Sequence, residues 1–203
     1  MAQRSDQDTP KKFLALGDSY TIGESVAEVD RWPVQLAKVL REKGIPVEAP
    51  RIIATTGWRT DDLKKAILSE KLKNEFDLVS LLIGVNNQYQ SKSAGEYAPE
   101  FEQLLKMAIT FAGGDNAKVF VVSIPDYGFT PFGKDKQEKI SREIDEFNDV
   151  NRSIALKYGV RYFDITGISR KGLKESDLVA DDGLHPSGKM YKEWVDVISR
   201  GLF

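Results

Sequence analysis

The 203-residue chain carries one histidine, His185, in the stretch Asp181-Asp182-Gly183-Leu184-His185-Pro186-Ser187. Imidazole is the side chain best suited to take and return a proton near neutral pH. Any imidazole-based chemistry therefore has a single candidate base. Asp182 lies three residues back, a spacing that puts both side chains on one side of a turn. Its carboxylate can then accept from one ring nitrogen, fix the tautomer and leave the other nitrogen free. Asp181 competes at a spacing of four, which suits a helix better than a turn containing Gly183 and Pro186. Near the other end, the first apolar run breaks at Gly17-Asp18-Ser19-Tyr20. A serine leaving a strand and entering a helix exposes its hydroxyl, and its own N–H sits where a developing oxyanion can be held. Gly57 permits close backbone approach to a ligand, and Asn86 offers a neutral amide donor. Each residue also has a plainer reading: Ser19 as a cap, Gly57 and Asn86 as turn residues, Asp182 and His185 as a surface turn before a helix.

These residues fall at the ends of the elements that must position them. Short apolar runs at 13–16, 52–54, 78–83, 119–124 and 160–165 read as strands buried on both faces. Between them, apolar residues recur at helical spacing. The stripes are Trp32, Leu36, Val39 and Leu40; Leu63, Ile67 and Leu68; and Phe101, Leu104, Leu105, Ala108 and Ile109. Two more follow: Ile140, Ile144, Phe147, Ile154 and Tyr158, then Met190, Trp194, Ile198 and Leu202. All are expected to be core stripes. Thr60 is the expected N-cap of the second helix, with Asp61 and Asp62 in its first turn. The alternation predicts an α/β fold of three layers, α/β/α, around a flavodoxin-like, mostly parallel sheet of five strands. Ligands of such sheets bind outside the carboxyl ends of the strands. The turns after the first three runs hold Gly17-Asp18-Ser19-Tyr20, Thr55-Thr56-Gly57-Trp58-Arg59 and Gly84-Val85-Asn86-Asn87-Gln88, so they must converge at that edge.

Composition narrows the partners. Residues 12–203 suit one domain, and residues 1–11 are expected to be a disordered or tag-like N-terminus. With no cysteine, the chain has no disulfide, zinc–thiolate site or cysteine nucleophile. No metal or cofactor is expected. The net charge of −2 gives no electrostatic reason to expect nucleic acid or an anionic membrane as partner. No apolar run approaches the ~18 residues of a spanning helix, so stable membrane insertion is not expected. The polar start lacks the apolar core of a signal peptide. Both a cytoplasmic protein and a secreted or periplasmic one stay open, as does the oligomeric state.

Taken together, the blocks Gly17-Asp18-Ser19-Tyr20, Gly57, Gly84-Val85-Asn86-Asn87 and Asp182-Gly183-Leu184-His185 stand in the order of the SGNH (GDSL-type) serine hydrolases, which the chain resembles over nearly its whole length. The segment Trp32-Pro33-Val34-Gln35-Leu36 is similar to the region after the first block in the thioesterase, lysophospholipase and arylesterase branch. The resemblance implies that Ser19 is the nucleophile, His185 the base and Asp182 its orienting acid. It further implies an oxyanion hole formed by the Ser19 and Gly57 N–H groups and the Asn86 side chain, with Asp18 holding the turn. Tyr20 stands where leucine is usual and Asn87 where aspartate is usual. The Gly-x-Ser-x-Gly elbow of α/β-hydrolases is absent, since position 21 is threonine.

The expected activity is hydrolysis of short-chain acyl or aryl esters, small molecules, through an acyl-enzyme. Carbohydrate O-acetyl esters and lysophospholipid or thioester substrates are the alternatives within the class. A catalytically silent binding module is the alternative outside it, disfavoured by the complete Ser19, Asp182 and His185 set. A doubly wound nucleotide binder would need a Gly-x-Gly-x-x-Gly loop, which the first turn fits poorly. Tyr20, Trp58, Tyr89, Tyr127 and Leu184 are the expected substrate pocket. Phe129 and Phe132 share that loop region, and Arg59 is available to an anionic substrate group.

Overall fold

The computed structural model describes residues 9–202. Residues 1–8, most of the expected N-terminal tail, lie outside that range. Lys11 already pairs with the body of the fold: its N–H donates to Pro46 O at 2.8 Å, and its carbonyl accepts from Glu48 at 2.9 Å.

Five strands, β1 (Phe13–Gly17), β2 (Arg51–Ala54), β3 (Leu78–Leu82), β4 (Val119–Val122) and β5 (Arg161–Phe163), form one wholly parallel sheet in the order β2-β1-β3-β4-β5. This is the flavodoxin-like order. Every residue of β1, β3 and β4 is buried, as expected when helices cover both faces of a parallel sheet. Helix α2 (Trp32–Glu42) packs against the last helix, α8 (Gly188–Leu202). Across the sheet, α5 (Ala94–Phe111) packs against both α3 (Thr60–Ser69) and α6 (Gln137–Lys157). Three short helices sit at strand ends: α1 (Ser19–Ile22), α4 (Val85–Tyr89) and α7 (Thr166–Ser169).

The helical stripes pack on the core as the spacing predicts, Val39, Ile109, Ile154 and Tyr158 half-buried at its margin, and one stripe residue faces water. Leu68 is 64% exposed, so α3 turns only Leu63 and Ile67 inward. Phe13 of β1 and Phe120 of β4 meet across the covered sheet, their ring centroids 6.3 Å apart, and Trp32 of α2 packs on both. Tyr97 of α5 stacks on Phe147 of α6 at 4.6 Å. Burial of such side chains is worth roughly 1.5–3 kcal/mol each. It holds the strand ends, and the turns that leave them, in a fixed frame. No described helix is long and apolar enough to cross a membrane.

Candidate active site

In this strand order, β1 and β3 are neighbours at the point where the chain reverses direction across the sheet, and the turns leaving them flank one crevice. The first turn is held by Asp18. Its Oδ1 accepts from the Tyr20 N–H at 3.1 Å and caps α1. Asp18 is fully buried, and its Oδ2 has no partner among the described residues. Burial pushes its carboxyl up to about 7, against the pull of backbone donors at Tyr20, Asp18 and Gly84. The cap fixes Ser19 as the first residue of α1, where its N–H has no helical acceptor. Neither that N–H nor the one at Gly57 donates to any described residue. Gly57 lies in the loop after β2 at φ 85°, a left-handed conformation that favours glycine.

The Asp182–His185 spacing closes as a turn. His185 Nδ1 lies 2.6 Å from Asp182 Oδ2, while the other carboxylate oxygen accepts the N–H groups of Leu184 and His185 at 2.9 Å each. No such contact joins Asp181 to His185 among the described residues. A fourth donor reaches Asp182 from 157 positions away: Ser25 Oγ bonds Oδ2 at 2.6 Å. Burial works to raise the Asp182 carboxyl. The bonds from Ser25, His185 and the two backbone groups outweigh it and hold the acid well below the usual carboxylate range. An ionised partner keeps the proton on Nδ1, which leaves Nε2 as the basic nitrogen. His185 is 8% exposed, and Tyr20 meets its imidazole edge-on at 5.7 Å. Burial, and then the charge of Asp18, raise the Tyr20 phenol well above its ordinary value, so it stays neutral.

The third turn starts at Gly84, φ 130°, where a Cβ would come within 2.7 Å of the Tyr97 hydroxyl. That glycine lets α4 begin immediately, and both Asn86 and Asn87 reach the segment leading into α3. Asn86 Nδ2 donates to the Trp58 carbonyl at 2.9 Å, which spends one of its two amide hydrogens and ties this turn to the loop carrying Gly57. Asn87 is fully buried and supports the neighbouring helix. Its Oδ1 accepts the Thr60 N–H at 3.2 Å, and its Nδ2 donates to Thr60 Oγ1 at 2.7 Å and to Glu100 at 3.3 Å. Thr60 is therefore the first residue of α3 and not its cap. Arg59 takes the cap position through its backbone, and the Thr60 hydroxyl is drawn to Glu100 instead. Burial opposes the ionisation of Glu100, but Lys92 and Thr60 hold its carboxyl below the ordinary value.

Ser19, Tyr20, Val85, Asn86, Tyr89, Tyr127, Phe132, Leu184 and His185 line one cavity of about 190 Å³. Four of the five expected pocket residues are among them. Trp58 is not: its ring packs half-buried on the core, and only its carbonyl serves the site. Arg59 is committed to Asp61 and Gln90, so it offers no free cation. Phe129 does not line the cavity, whereas Phe132 does. Phe132 and Tyr89 are 54% and 57% exposed and form an aromatic lip. The Ser19 hydroxyl and the His185 ring share the cavity without a direct hydrogen bond among the described residues. Nor is any group of three or more His, Asp or Glu among them placed to hold a metal ion.

Residues 15–193 match the model of the GDSL-like lipase/acylhydrolase family. The chain belongs to this family. It is a carboxylic ester hydrolase. Among solved structures it is similar to TesA (16% identity, TM-score 0.72, covering 94% of this chain and 97% of that one). It is likewise similar to Axe2, an acetylxylan esterase from Geobacillus stearothermophilus (18%, 0.73, 98% and 96%). A lipase/acylhydrolase from Enterococcus faecalis matches at 23% identity with TM-score 0.70, covering 94% of each chain. At these identities the likeness is one of fold. No curated protein matches the hydrolase by sequence.

Residue types and local spacing point to Ser19, Asp182 and His185, but nothing local points to Ser25 or Glu100. Both act on partners distant in sequence, and a serine in a loop or a glutamate in a helix carries no mark of that. Val85 was visible only as the neighbour of Asn86.

Proposed function

We propose that the hydrolase cleaves short-chain acyl esters through a covalent acyl-enzyme on Ser19. The observation that carries this reading is the buried His185, bound through Nδ1 to an ionised Asp182 and lining one small cavity with Ser19 and Asn86. Ser19 Oγ attacks the ester carbonyl carbon while His185 Nε2 takes the hydroxyl proton. The negative charge that develops on the carbonyl oxygen is held by the Ser19 and Gly57 N–H groups and the second Nδ2 hydrogen of Asn86. His185 then returns its proton to the leaving alkoxide as the C–O bond breaks, and water repeats the two steps on the acyl-enzyme. Hydrogen bonds of a resting site are often long and tighten only when substrate binds, which accommodates the present Ser19–His185 geometry.

The cavity favours small acyl groups because Tyr20, Leu184 and Tyr127 close its floor. An acetylated carbohydrate is the second reading. It is favoured by a groove of about 300 Å³ that adjoins the aromatic lip and is walled by Gln88, Ser91, Asp135, Lys136, Lys139 and Glu143. Its acid and base side chains balance, which suits a neutral polyhydroxylated alcohol better than an anion. A fluorophosphonate probe tests the shared chemistry. Wild type is expected to be labelled stoichiometrically and Ser19→Ala not at all; equal labelling of both, or of neither, removes Ser19 from this role.

A further inference from the structure

Glu24 and Ser25 lie just past Gly23, the C-cap of α1, and each reaches a different loop of the site. Thr56 Oγ1, beside Gly57, donates to Glu24 Oε2. Ser25 Oγ donates at 2.6 Å to the same Asp182 oxygen that binds His185 Nδ1. These contacts span 32 and 157 residues of sequence. Ser25 holds φ 65°, a left-handed conformation seen at only two other non-glycine residues among those described. A non-glycine residue there is strained and persists where the surroundings require it. With both neighbours engaged, the turn that carries Ser19 is bonded to the loop bearing Gly57 and to the loop bearing Asp182 and His185.

We propose that Glu24 and Ser25 form a clamp that sets the register between the nucleophile, the Gly57 N–H and the Asp182–His185 pair. Both are positioning residues, and the proposal rests on the reading of Ser19 and His185 given above. The two backbone N–H groups and His185 Nδ1 already orient the Asp182 carboxylate within its own loop. The Ser25 hydroxyl ties that carboxylate to the segment after α1, and so sets where the loop and its imidazole stand relative to Ser19. Glu24 acts on the opposite wall by limiting the travel of Thr56, and so of the amide next to it. Misplacement of about 1 Å can cost up to 100-fold in rate, whereas substrate affinity depends on the cavity lining, to which neither residue belongs.

The test compares Ser25→Ala, Ser25→Gly, Glu24→Ala and Glu24→Gln with wild type and Ser19→Ala, using 4-nitrophenyl acetate and thermal melting. Ser25→Gly separates the two roles, since it relieves the left-handed backbone while deleting the hydroxyl. The clamp predicts that Ser25→Gly melts at or above the wild-type temperature yet loses about three- to tenfold in kcat, with KM within about twofold. Ser25→Ala loses as much kcat and is less stable than Ser25→Gly. Glu24→Gln, which keeps an acceptor for Thr56, retains more kcat than Glu24→Ala. Wild-type kcat in Ser25→Gly overturns the clamp, as does a kcat loss that merely follows the melting temperature across the four variants. If Ser19→Ala keeps wild-type activity, the underlying reading of the site falls and the clamp with it. An inactive Ser19→Ala beside a fully active Ser25→Gly removes the clamp alone.

Discussion

Tyr20 shows how much one side chain decides. Its ring lies between the imidazole and Trp194, with centroid distances of 5.7 and 6.4 Å. Below it, a small void is walled by Pro125, Val179, Pro186 and Met190. Tyr20, Tyr127, Leu184 and His185 border both this void and the cavity above, so they form the partition between them. A leucine at this position would leave part of the partition open. We expect Tyr20→Leu to move the optimum of kcat/KM toward longer acyl chains, read with a series of 4-nitrophenyl esters from acetate to octanoate. The variant should also lose roughly 1–3 kcal/mol of stability through the imperfectly refilled space. An unchanged chain-length profile would mean that acyl length is set elsewhere.

Among the elements, α3 and α5 are joined to the β3 turn by a polar cluster that replaces an expected carboxylate. Asn87 stands where a family member usually has aspartate, and the negative charge sits across from it on Glu100. Asn87→Asp would therefore place two carboxylates about 3.3 Å apart in a half-buried setting, a pairing in which both cannot ionise comfortably. It should cost about 1–3 kcal/mol at neutral pH, seen as a lower urea midpoint. Adding Glu100→Gln should restore most of it; additive losses in the double variant would deny the coupling. This cluster also marks where the sequence stops being legible. The strands could be read because an apolar run bounded by small residues has few other uses, and the Asp182–His185 contact could be read because it is local. The end of α3 could not: Thr60 looks like a cap until Asn87 and Glu100, 27 and 40 residues away, claim its backbone and hydroxyl. Leu68 likewise completes a stripe by spacing and yet faces water, because the last turn of α3 passes the rim of the core.

For the whole molecule, Asp18 ties the fold to pH. Its carboxyl titrates near 7 in the folded protein because of burial and near 3.9 in an unfolded chain. Between those values the folded state keeps a proton that the unfolded state has released. The contribution is complete below about pH 4 and is lost as pH rises through about 7, so this group makes the fold less stable toward neutrality. Asp18→Asn keeps an oxygen for the Tyr20 N–H and has nothing to titrate. Its melting temperature should fall less than that of wild type between pH 4.5 and 7.5, by several degrees for a difference of a few kcal/mol. Parallel curves would show that Asp18 is ionised throughout. The same burial places the residue before Ser19 in the core, and the fold accepts a pH-dependent cost at that turn.

The hydrogen bond between His185 and Asp182 has a spectroscopic consequence. With one imidazole in the chain, a sample labelled with nitrogen-15 at histidine yields a single pair of ring signals, and both come from the ring bound to Asp182. A strong acceptor at Nδ1 should carry its proton far downfield and leave Nε2 with the shift of an unprotonated nitrogen. Each stage of turnover under the proposed mechanism could then be followed as a proton arriving at and leaving Nε2 while Nδ1 keeps its own, without any substitution in the protein.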